Sequence, residues 1–62
     1  MKPKMELDID KDLDGYCMIN RAGSILSANG LKKEAKEIHQ KATTSGYDIY
    51  MAYQLLKEYM DI

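Results

Sequence analysis

Cys17 and His39 are the only cysteine and the only histidine in a chain of 62 residues. This scarcity constrains the fold more than any other feature. A chain this short buries only about 60% of the surface its unfolded form exposes, so its core is thin. Domains of this size usually rely on disulfides, a metal or a partner subunit. One cysteine forms no bridge within the chain, and one cysteine with one histidine does not complete a four-ligand zinc site. Idealised packing or self-association is what remains. No run approaches about 18 apolar residues, so no membrane span is expected, and the start lacks the apolar stretch of a signal peptide. The expectation is a cytoplasmic protein without metal or cofactor.

Apolar residues recur at helical spacing in three stretches, which predicts one mainly α domain over residues 1–62. The first helix is expected over about Leu13–Ala28, with Asp12 or Asp14 as its cap and a stripe of Met18, Ile19, Ala22, Ile25 and Leu26. Asn29-Gly30 stops it. The second runs from Leu31 to about Thr43 with the narrower stripe Leu31, Ala35, Ile38 and Ala42, so the first two form a hairpin. Thr43-Thr44-Ser45-Gly46 is a turn, and Asp48 caps a third helix that reaches about Asp61. Residues 1–12 form an extended arm: Met5, Leu7 and Ile9 alternate with Glu6, Asp8 and Asp10. A lone strand needs a partner, and another subunit is the expected source.

The third helix carries an apolar arc wider than one packed face needs. With Ile49 at 0° and about 100° per residue, Ile49, Ala52, Tyr53, Leu56 and Met60 cluster near zero as the expected core. Met51, Leu55 and Tyr59 extend the arc to about 200°. At i, i+4 and i+8 they read as a second seam, the interface of a homo-oligomer. A core deep enough to swallow them is the alternative.

The formal net charge of −1 argues against a binder of double-stranded DNA. The charge is uneven, however. Residues 15–46 hold Arg21, Lys32, Lys33, Lys36 and Lys41 against Glu34 and Glu37, a local balance of +3, while both ends are acidic. The middle suits a small anion. The run Asp10-Lys11-Asp12-Leu13-Asp14-Gly15 matches the first six positions of an EF-hand loop. Cys17 then stands where an aliphatic is usual, and Arg21 where the bidentate Glu belongs. Tight calcium binding is therefore not expected, and the run reads as a solvated lead into a helix cap.

Enzymatic chemistry is not expected. A nucleophile needs an oriented base within reach, and Cys17, beside the apolar stripe, reads as a buried structural thiol. No phosphate-binding glycine loop is present. An anion site is better supported. His39, Lys32, Thr43 and Lys36 share one flank of the second helix, at about 80–140° from Leu31. The hydroxyls of Thr44 and Ser45 precede a helix start, whose free N–H groups and dipole favour phosphate. Tyr16, Tyr47 and Tyr50 offer faces for base stacking, and Arg21 offers a guanidinium fork.

At Ile19-Asn20-Arg21-Ala22, Lys33-Glu34-Ala35-Lys36-Glu37-Ile38, Ser45-Gly46-Tyr47 and Leu56-Lys57-Glu58-Tyr59-Met60-Asp61-Ile62, the chain resembles small phage-encoded helical proteins. The resemblance covers about residues 16–62. Within that group it is similar to the oligomeric sponges, anti-CBASS and anti-Thoeris proteins, that capture cyclic-nucleotide immune signals. The resemblance implies a non-catalytic protein of the host cytosol that sequesters such a ligand, with Arg21, Lys36, Ser45 and Tyr47 in the site. Lys32, His39 and Thr44 join the candidate site on helical geometry alone. Two other expectations stand beside it: an inhibitor that grips a host protein through Met51, Leu55 and Tyr59, and a minor regulator of transcription, which the charge disfavours.

Overall fold

The structure, a computed structural model, describes residues 2–8 and 14–62. The chain is mainly α, and the described residues form three helices in order: α1 over Gly15–Ala28, α2 over Lys32–Thr44 and α3 over Ile49–Tyr59. Ile9 of the arm, and residues 10–13 of the EF-hand-like run, lie outside the described residues.

Local hydrogen bonding explains the starts of α1 and α3 and the ends of α1 and α2. Asp14 caps α1, its carboxylate accepting the Cys17 N–H at 2.8 Å. Asp48 caps α3 in the same way, accepting the N–H groups of Tyr50 and Met51, each at 3.1 Å. Both α1 and α2 end in the paired backbone bonds of a Schellman motif. In the first, Leu31 N–H reaches Leu26 O and Gly30 N–H reaches Ser27 O. In the second, Tyr47 N–H reaches Ala42 O and Gly46 N–H reaches Thr43 O. Gly30 and Gly46 sit at φ +77° and +65°, where a side chain is disfavoured.

The cap of α1 makes a pH prediction. The Cys17 backbone N–H, chiefly, and the Cys17 thiol hold the Asp14 carboxyl below its ordinary value. A carboxyl depressed by folding adds stability above its unfolded value, near pH 4, and that stability fades as pH falls through the folded value. Melting curves taken between about pH 6 and 2 are expected to show a shallower acid loss for Asp14→Asn than for the parent. Parallel curves would remove Asp14 from the acid response.

The core joins Met18, Ile19, Ala22 and Leu26 of α1 with Ala35, Ile38 and Ala42 of α2, and with Ala52, Leu55, Leu56 and Met60 from α3 and its end. α1 packs more extensively on α2 than on α3. The first two stripes face inward as their spacing predicts, although Ile25 and Leu31 are only partly buried. The third helix is turned by about 60° from expectation. Leu55 is 8% exposed and belongs to the core, whereas Ile49 and Tyr53 are 39% and 37% exposed. The seam expected from Met51, Leu55 and Tyr59 is thereby split. Leu55 is occupied by its own chain. Tyr59 is partly buried against the core and donates its hydroxyl to Glu37 Oε1 at 3.0 Å, while Met51 remains exposed.

The extended arm finds its partner at the chain's own C-terminus, not on a second subunit. Lys4 and Asp61 form a parallel bridge. Met5 N–H donates to Asp61 O at 3.1 Å, and Asp61 N–H donates to Pro3 O at 2.9 Å. Met5 enters the core while Leu7 stays outside, so of these two members of the alternating pattern one is buried.

Candidate functional site

A groove of about 770 Å³ runs between α1 and α2, within the ~300–1,000 Å³ typical of ligand pockets. Its α1 wall is Asn20, Gly23, Ser24 and Ser27, spaced at i, i+3, i+4 and i+7 so that all four share one helix face. Its α2 wall contains Lys32, Lys36, His39 and Gln40, with Ala35 at the base. Among the described residues that line it, none is acidic. The two walls approach closely at Gly23. A Cβ placed there would lie 2.7 Å from His39 Nε2 and 3.1 Å from Cδ2, so the missing side chain leaves room for the imidazole against α1.

Three of the seven expected ligand residues, Lys32, Lys36 and His39, therefore meet in one groove. The other four stand elsewhere. Arg21 is rotated about 100° along α1 from Asn20, and its guanidinium donates to the Glu6 carbonyl, which ties the arm to α1. Thr44 and Ser45 donate their hydroxyls back into the last turn of α2, to Gln40 O at 3.1 Å and Ala42 O at 2.9 Å. Tyr47 shares a 3.0 Å hydrogen bond with Thr43 and sets its ring edge-on to Tyr16, with centroids 5.0 Å apart. Tyr47 also holds φ +57°, a conformation rare for a bulky residue. The start of α3, expected to receive phosphate, is already filled by the Asp48 carboxylate. A capping anion there satisfies the same N–H groups and repels a second one.

The hydroxyls of Thr43, Thr44 and Ser45 thus serve α2, and the groove's hydroxyls come from Ser24 and Ser27 of α1 instead. Asn20, Ser24 and Ser27 were absent from the sequence-based site. The signal for them was their shared face, opposite the α1 stripe, but nothing local marks that face as the one beside the lysines. Cys17 is exposed, contrary to expectation, and its Sγ contacts Asp14 Oδ2 at 3.4 Å. Among the described residues, no group of three or more His, Cys, Asp or Glu side chains is placed to hold a metal ion, and no helix is long and apolar enough to cross a membrane.

Comparison with protein-family models, with curated proteins and with solved structures finds no match to this chain.

Proposed function

We propose that this chain binds a small phosphorylated signal, such as a cyclic oligonucleotide, in the α1–α2 groove and sequesters it without turnover. The observation that carries this reading is a ligand-sized groove lined by two lysines and a histidine and, among the described residues, by no acid. A phosphate there exchanges hydration for charge-assisted hydrogen bonds worth about 1.5–3 kcal/mol each. The start of α2, which no side chain caps, adds its dipole at the Lys32 end. His39 has no carboxylate beside it among the lining residues to orient it as a base, which favours capture over catalysis. In this reading the protein is phage-encoded, acts in the host cytosol and blunts a nucleotide-signalled defence.

Calorimetry with a panel of cyclic nucleotides tests the proposal. Lys32→Ala and Lys36→Ala are each expected to weaken binding about tenfold or more, the equivalent of about 1.4 kcal/mol, without lowering the melting temperature, because both side chains are exposed. Bound ligand is expected to be recovered unchanged after heating. Silence from every member of the panel would overturn the reading.

A second reading rests on a different observation. Ile49, Tyr50, Met51 and Tyr53 leave the first half of α3 rich in exposed apolar surface, with Tyr50 80% exposed. Such a surface suits a protein partner, either a host target or a sister subunit in a homo-oligomer. Sedimentation of the purified protein separates those two: a monomer points to the host target, a dimer or tetramer to self-assembly.

A further inference from the structure

The groove differs from one end to the other, and the difference points to one orientation of a ligand. The short Asn29–Leu31 connection turns α2 back along α1, and Gly23 against His39 sets the register. Lys32, Lys36 and Ser27 therefore stand in the half nearest the turn. Asn20 and Gln40 stand in the far half, with His39 between. One half offers positive charge. The other offers two carboxamides, each with an acceptor and two donors.

Resting on the reading of this groove as a phosphate site, we propose that it takes one nucleoside phosphate unit per chain. The phosphate lies at Lys32 and Lys36, and an adenine-type base lies at Asn20 and Gln40. Asn20 to Ser27 spans about 10 Å along α1, and Lys32 to Gln40 about 12 Å along α2. That length suits a single nucleotide unit. A carboxamide matches the adjacent donor and acceptor of adenine, N6–H and N7, in a bidentate pair. The His39 ring, held against Gly23, supplies a flat face at the middle of the groove, where sugar meets base. A cyclic dinucleotide then has two such units and occupies two grooves.

Calorimetry with adenosine 5′-monophosphate, ribose 5-phosphate and adenosine is the test. The monophosphate is expected to bind at one per chain, at least tenfold more tightly than ribose 5-phosphate. Asn20 and Gln40 are both exposed, so Asn20→Ala with Gln40→Ala is expected to keep the parent circular dichroism. That variant is expected to bring the monophosphate down to the affinity of ribose 5-phosphate, whose own binding stays unchanged. Lys32→Ala is expected to weaken both phosphorylated compounds alike. Equal affinity of the parent for the two phosphates, or an equal effect of the carboxamide variant on both, overturns the base assignment and leaves the phosphate site standing. Absence of binding by every phosphorylated compound overturns both.

Discussion

Gly15→Ala is expected to destabilise the protein by about 3 kcal/mol, the upper part of the range for forcing extra volume into a packed site. Helix propensity alone predicts the opposite sign, since alanine in a helix is favoured over glycine by about 1 kcal/mol. The geometry decides between them. A Cβ on Gly15 would lie 2.1 Å from the carbonyl oxygen of Tyr47, 2.9 Å from its carbonyl carbon and 3.3 Å from that of Asp48. These are backbone atoms, and they have little freedom to retreat. Tyr47 is held at φ +57°, its N–H is bonded to Ala42, its hydroxyl to Thr43 and its ring packs on Tyr16. In a chain this small, about 3 kcal/mol corresponds to a fall in melting temperature of roughly 20 °C or more. A variant as stable as the parent would show that the start of α1 does not dock on the α2–α3 turn in this way.

Leu55→Glu is expected to unfold the chain outright, whereas Met51→Glu leaves it folded. The total stability of a 62-residue domain is about 3–9 kcal/mol. Loss of a buried leucine side chain alone costs about 2–5 kcal/mol, and an unpaired carboxylate at an 8% exposed position adds its own desolvation cost. Met51 is 51% exposed, and substitutions at such positions usually stay within about 0.5 kcal/mol. Circular dichroism melts at neutral pH read both variants directly. If Leu55→Glu melts cooperatively near the parent temperature, Leu55 is not a core residue. If Met51→Glu stays folded but changes the sedimentation coefficient, the exposed face of α3 is an interface between copies.

The candidate site is only partly legible in the sequence. Lys32, Lys36 and His39 share a face of one helix, so spacing alone brought them together. Arg21 enters the expected site through the resemblance and its guanidinium fork, but its use depends on the arm, which presents the Glu6 carbonyl to it. Thr44 and Ser45 precede a helix and so resemble phosphate donors. They also follow one, and the carbonyls in the last turn of α2 lie close enough to accept their hydroxyls. A hydroxyl at the junction of two helices has two competing local partners, and residue type does not choose between them.

The features legible in the residues alone are those closed by short-range hydrogen bonds. The three helices of the described residues, a cap at Asp12 or Asp14, the Asp48 cap and the stops at Gly30 and Gly46 follow from neighbours within about five positions in the chain, and the structure selects Asp14. Tertiary structure alone decided three other things. One is the rotation of α3, whose apolar arc is wide enough to offer several inward faces, so that α1 and α2 select Leu55 over Tyr53. The second is the pairing of the arm with Asp61, a contact across 57 positions that no local pattern encodes. The third is the place of Gly15, which looks dispensable at a helix start until the Tyr47 carbonyl arrives at the spot where a side chain would stand. Periodicity reports how much of a helix is apolar. Which part of it is buried depends on the shape of what it packs against.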